Sequence, residues 1–118
     1  MSRIEIDVFK SQAALDAFTE TWRRVEIGET VTPRLAFGSL RELFSAITEK
    51  RLEMIRFVAE HEQLNIRQLA RQLGRDYKNV YGDVKDLVEL GLLDKDEAGR
   101  LTAPFDEIVI RATVRDAA

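Results

Sequence analysis

The chain has no cysteine and a single histidine in 118 residues. Without cysteine there is no disulfide and no thiolate metal site, an absence compatible with a reducing cytoplasm. No apolar run approaches the roughly 18 residues that a membrane span needs. The opening Met1-Ser2-Arg3-Ile4-Glu5 also lacks the apolar core of a signal peptide. A cytoplasmic protein with no membrane partner is expected. Glycine-rich phosphate loops, nucleophile elbows and metal-ligand spacings are missing too. His61 lies between Glu60 and Glu62, but consecutive helical residues point in different directions, so it reads as a helix-end surface histidine rather than a ligand. Carboxylates are plentiful, yet none is clustered in sequence with a partner that would tune its pKa. No catalytic activity, no metal and no cofactor are expected.

What remains is an ordinary globular composition, 45% hydrophobic and 33% charged, enough to build one compact domain. The net charge of -3 is unevenly spread. Between Leu64 and Lys85 stand Arg67, Arg71, Arg75, Lys78 and Lys85 against Asp76 and Asp83, so this stretch carries +3 and the remainder -6. A basic face on an acidic body can hold DNA, because charges further than about 10 Å away are screened at ~0.1 M salt. On charge alone a solvated helix face is the preferred reading.

Ile4, Ile6 and Val8 alternate with Glu5 and Asp7, the period of a half-buried strand from Arg3 to Phe9. Ser11 caps an expected helix to about Ile27, with Leu15, Phe18, Trp22 and Val25 as its apolar stripe and Gly28 as its stop. Arg34 to Phe37 is a short strand candidate. Ser39-Leu40-Arg41-Glu42 reads as a capping box, opening a short helix that turns Leu40, Leu43, Phe44 and Ile47 inward. Thr48 caps the next helix, expected to bury Leu52, Ile55, Val58 and Ala59. Asn65 opens a third, Ile66 to Leu73, and Asp76 a fourth, to about Leu90, with Val80, Val84, Leu87 and Val88 inward. After Gly91 come Leu92 to Asp94, a turn through Asp96 to Gly99, and Arg100 to Thr102. Ile108 to Val114 is a last strand.

Three helices, the last two joined by a glycine turn, followed by a hairpin, define an α+β winged helix-turn-helix. Ala70 sits where the two helices approach, Gly74 supplies the reversal with φ > 0, and Val80 packs back to set the crossing angle. Projected at about 100° per residue from Val80, the outward side holds Lys78, Gly82 and Lys85, flanked by Tyr77, Asn79 and Tyr81. Lysines neutralise phosphate, asparagine can pair with adenine, and tyrosine can touch a thymine methyl or donate to phosphate. Gly82 has two readings, close backbone approach to a partner or a plain surface glycine. The tyrosines can alternatively pack against the preceding helix. Lys95 and Arg100 flank the turn of the wing, among Asp94, Asp96 and Glu97, and could reach a minor groove or the backbone. Arg75 and Asp76 are either a phosphate contact and an N-cap, or partners of Arg51 and Asp83 in locking the helices together. For Asp83 the structural salt bridge is preferred, since a free carboxylate there would be repelled by DNA. With Arg67 from the preceding helix, these cations, Tyr77, Asn79, Tyr81 and Gly82 form the candidate double-stranded-DNA contact set.

The segments Phe37-Gly38-Ser39, Thr48-Glu49-Lys50-Arg51-Leu52-Glu53, Ile66-Arg67-Gln68-Leu69-Ala70 and Pro104-Phe105-Asp106 carry a likeness. Its most specific stretch runs from Gly74-Arg75-Asp76 through Asn79-Val80 to Asp83-Val84. In these residues the chain resembles a family of small prokaryotic MarR-like winged-helix regulators, first noted in haloarchaea and described as antitoxin-like. The resemblance implies DNA binding by the helix from Asp76 to Leu90, with transcriptional control of the protein's own operon, and an autoregulating repressor is expected. Members are often encoded beside a small toxin-like protein, which would make this chain the antitoxin. Tyr81 and Gly82 depart from the polar or basic residues more usual there, which leaves base preference open.

The expected organisation is an N-terminal strand-helix-strand extension over 1–38 and a winged-helix region over 39–118, packed as one domain. Ile4, Phe18 and Trp22 add more apolar surface than a three-helix wing needs. The extension and the last strand are therefore expected to form a homodimer or a toxin-binding face. The alternative is a protein interaction module that neutralises a partner without reading DNA.

Overall fold

The computed structural model describes residues 2–9, 33–112 and 114. The helix expected from Ser11 to Ile27 lies outside them. Among the described residues the protein is α+β, in the order β1 (Arg3–Val8), β2 (Arg34–Phe37), α1 (Leu40–Ala46), α2 (Glu49–Glu60), α3 (Ile66–Leu73), α4 (Tyr77–Glu89), β3 (Asp94–Lys95), β4 (Leu101–Thr102) and β5 (Glu107–Ala112). The chain forms two compact units, Met1–Ser45 with Asp106–Ala118, and Ala46–Phe105. The first unit takes both chain ends, whereas the reading of the sequence divided the chain at residue 38 and grouped the last strand with the helices.

In the first unit β1 lies between β2 and β5, parallel to both. Its even residues, Ile4, Ile6 and Val8, are buried as the alternation requires. The odd ones correct the expectation of a half-buried strand, for Glu5 and Asp7 are each only 6% exposed. The reason is their central position, where arginines from neighbouring strands close over them. Arg34 Nε and Nη2 each lie 3.1 Å from Glu5 Oε1, and Arg111 Nη1 lies 3.2 Å from Asp7 Oδ1. Burial pushes the Glu5 carboxyl up, but the hydrogen bond from Arg34 and the charges of Arg111 and Arg34 outweigh it and hold the group below the usual range. Charged groups tolerate such burial only when paired in this way.

The capping box of α1 forms with a shift. The Ser39 hydroxyl accepts from the Glu42 amide at 3.1 Å, while the Glu42 carboxylate accepts from Gly38, not Ser39, at 3.0 Å. Leu43 is fully buried, but Leu40 (45%) and Phe44 (61%) are exposed, against expectation. A seven-residue helix buries one narrow stripe, and these two stand about 60° and 100° around from Leu43.

In the second unit α2 is capped by Thr48, whose hydroxyl accepts from the Arg51 amide at 3.1 Å. Its buried stripe is Met54, Ile55 and Val58. Leu52 is only half-buried and Ala59 is exposed, so the inward face is turned toward Met54 from the one expected. Asn65 and Gln68 form a reciprocal capping box at the start of α3. Gly74 stands at φ 65°, and the amides of Arg75 and Gly74 donate to the carbonyls of Ala70 and Arg71. This pair of bonds satisfies the open end of α3 and reverses the chain within three residues. Asp76 then caps α4, accepting from the Asn79 amide, and Val80, Val84 and Leu87 are buried. Gly91 ends α4 with the same pair of bonds, from Leu92 to Leu87 and from Gly91 to Val88. Leu92 and Leu93 are buried, and an antiparallel hairpin of β3 and β4 follows. Leu101 anchors it, donating to the Leu64 carbonyl at 2.9 Å and accepting from the Gln63 amide at 3.1 Å. No helix among the described residues is long and apolar enough to cross a membrane.

Because the Gly74 conformation costs a residue with a Cβ about 1–2 kcal/mol, Gly74→Ala should lower unfolding free energy by that amount. Urea titration followed by circular dichroism measures it.

Candidate functional site

The sequence places its cations on α3, α4 and the hairpin, and what they face depends on how α4 is held. Arg51 on α2 directs all three guanidinium nitrogens to separate acceptors. Nε meets Asp83 Oδ1 at 3.0 Å, Nη1 the Ala46 carbonyl at 2.9 Å, and Nη2 the Asp86 carboxylate. Arg75 Nη2 completes the cluster, 2.8 Å from Asp83 Oδ2. Both oxygens of Asp83 are thus taken by arginines, from α2 on one side and from the α3–α4 turn on the other. Burial pushes the Asp83 carboxyl up, yet the hydrogen bonds from Arg75 and Arg51 outweigh it and hold the group below the usual range. Of the two readings open for Arg75 and Asp76, the structure has Arg75 paired with Asp83 and Asp76 as the N-cap.

With Asp83 and Asp86 engaged, the side chains that α4 turns to solvent are Tyr77, Lys78, Asn79, Tyr81, Lys85 and Glu89. Glu89 stands in the last turn, away from the N-terminal half. Among the described residues neither Lys78 nor Lys85 makes an ion pair. Arg67 reaches from α3 over the Tyr77 ring, 5.0 Å from its centroid, and the Tyr77 and Tyr81 rings lie 6.2 Å apart. The structure therefore joins Arg67, Tyr77 and Tyr81 in one exposed row, held partly by cation–π attraction. Gly82 is half-buried, and a Cβ built on it meets nothing within 4 Å.

Lys95 and Arg100 are both exposed on the hairpin. The Asp96 carboxylate accepts from the Arg100 amide at 2.8 Å, so it serves the turn, while Asp94 and Glu97 remain exposed nearby. His61 ends α2, stacked on Phe57 at 4.1 Å with Nδ1 3.0 Å from the Phe57 carbonyl oxygen. Among the described residues no three His, Asp or Glu side chains come together as a metal site. Two features of the cluster were hidden in the sequence. Asp86 as a third partner of Arg51 follows only once α2 lies against α4. The Arg67–Tyr77 contact joins residues ten apart, which the turn geometry alone brings together.

The second unit is thus of a definite class: an α+β unit of three helices, the last two linked by a tight turn, with a hairpin after them. Residues 46–110, more than half of the chain, match the model of the HVO_A0114 family, and the chain belongs to that family. The match spans the whole of the second unit and the first four residues of β5. No curated protein matches the chain.

Asp83 contributes stability that is complete above about pH 5, where an unfolded aspartate is almost fully ionised, and that is lost as pH falls through its depressed folded value. Asp83→Asn should flatten the acid limb of a stability-versus-pH curve. Arg51→Lys keeps the charge but cannot serve three acceptors in a plane, and should cost roughly 1–3 kcal/mol. A stability unchanged by Arg51→Lys in urea titrations would remove the cluster from this role.

Proposed function

We propose that this protein is a sequence-specific DNA-binding transcriptional regulator, and that its second unit is a MarR-like winged helix-turn-helix with α4 as the recognition helix and β3–β4 as the wing. The observation that carries the reading is the division of charge on α4. Of its two mid-helix carboxylates, Asp83 is enclosed by Arg51 and Arg75 and the half-exposed Asp86 is neutralised by Arg51, while Lys78, Lys85, Asn79 and two tyrosines are left outward. A helix entering a major groove needs cations for phosphate and amide or hydroxyl groups for base edges, and it must not present free carboxylates. In this reading Lys78 and Lys85 bind phosphate and Asn79 reads a base. Arg67 holds Tyr77 in place, and Lys95 and Arg100 on the wing meet the sugar-phosphate backbone. Arg75 acts behind the helix, setting its pose through Asp83. The protein is a cytoplasmic repressor of its own operon, working as a homodimer and without a catalytic site, and where a toxin gene lies beside it, it serves as the antitoxin.

A second reading is favoured by the exposed Leu40 and Phe44 of α1. In it, the chain is a protein interaction module that neutralises a partner. Fluorescence anisotropy with the DNA upstream of the gene, against scrambled DNA at several salt concentrations, separates the two. A regulator prefers the upstream sequence and keeps that preference at about 150 mM salt, whereas a module binds both weakly and alike.

Lys78→Ala and Lys85→Ala should each weaken binding to every DNA and lower the salt slope by about one unit. Asn79→Ala should relax preference at one base position, at a cost of about 1–3 kcal/mol. Gly82→Ala should stabilise α4 by about 1 kcal/mol, since its Cβ has open space. If the DNA backbone approaches at Gly82, the same variant binds more weakly despite being more stable.

A further inference from the structure

The strand that closes the first sheet has a sequence that is its own complement. Among the described residues β5 pairs only with β1, so one long side of this six-residue strand is open. Glu5 and Phe9 donate their amides to Pro33 and Phe37, which directs the odd residues of β1 toward β2 and the even residues toward β5. In the β1–β5 register, Glu107, Val109 and Arg111 then bond to β1. Ile108, Ile110 and Ala112 turn their amides and carbonyls to the open side. A row of unpaired amides and carbonyls along a strand is a template for pairing with another chain.

We infer that β5 pairs antiparallel with β5 of a second copy of this chain, about a two-fold axis through Val109. In that register Glu107 meets Arg111 of the second copy, Ile108 meets Ile110, and Val109 meets itself. Charge and apolarity match at every position from 107 to 111, with the Glu107–Arg111 and Ile108–Ile110 pairs each formed twice by symmetry. The two Ile108–Ile110 pairs are the ones whose backbone groups face outward, so each exchanges two hydrogen bonds. Arg111 is already aligned by Asp7 and Glu5, yet its side chain is 48% exposed, and among the described residues only its Nη groups are engaged, which leaves Nε–H for the incoming Glu107. Ile110, 48% exposed, gains cover on the apolar face. The three-stranded sheets join as one of six strands. The pairing involves only the first unit and stands independently of whether the second binds DNA.

The test uses cross-linking of the full chain, which has no cysteine of its own. Across the axis, two residues at 109 form a non-hydrogen-bonded pair with Cα atoms about 4.5 Å apart, within disulfide range. Val109→Cys with oxidised glutathione should therefore form a disulfide-linked dimer readily. Ala112→Cys, whose copies would stand about 20 Å apart, should not. Sedimentation of the unmodified chain at micromolar concentration should show a dimer, and Glu107→Arg should raise its Kd by about tenfold by setting arginine against arginine. A monomer throughout, or equal cross-linking at 109 and 112, overturns the inference and leaves the edge to a strand of another protein.

Discussion

The pose of α4 hangs on a carboxylate held between two arginines. Asp83 accepts from Arg51 of α2 and from Arg75 in the turn before α4. Apolar contacts at Val80, Val84 and Leu87 keep α4 against its unit, but such contacts are non-directional and tolerate sliding. The planar guanidinium of Arg51, serving Asp83, Asp86 and the Ala46 carbonyl at once, does not. It neutralises two carboxylates of the helix and fixes the rotation of the helix in one contact.

The parallel sheet uses the same device. Glu5 and Asp7 stand on the middle strand, and arginines from β2 and β5 close over them. In each case the acid sits at the centre and the long, amphipathic arginine comes from a neighbour, covering it with its stem while pairing with its head. A charged face thereby becomes a packed one in which the carboxylates keep their ion pairs, although Asp7 Oδ2 is left without a hydrogen bond. Pairs of this kind add little net stability against an apolar equivalent, but removing one partner leaves a buried charge. They therefore act on register and orientation more than on net stability.

The helices and their ends were legible because their signals are local. Thr48, Asn65 and Asp76 each accept from an amide three residues on, and Gly74 and Gly91 take the positive φ that their places required. The outward face of α4 was legible for the same reason, since 3.6 residues per turn and one buried anchor, Val80, orient the rest. Faces without such an anchor were harder. On α2 the sequence pointed to Leu52 and Ala59 and passed over Met54, and only the folded unit decided that Met54 is buried. On α1 nothing local distinguishes Leu43 from Phe44.

Among the described residues, what the sequence determined by itself was the order of helices and strands, the caps of the helices from Thr48 on, and the charge pattern along α4, all set by interactions within a few residues. Tertiary structure alone decided that the first and last strands are parallel neighbours, that Glu5 and Asp7 are buried, and that Asp86 and Arg67 belong to the site. These depend on residues up to 106 apart in the chain meeting in space. Alternation along a strand gives its two faces, but says nothing about which strand lies beside it or what covers each face.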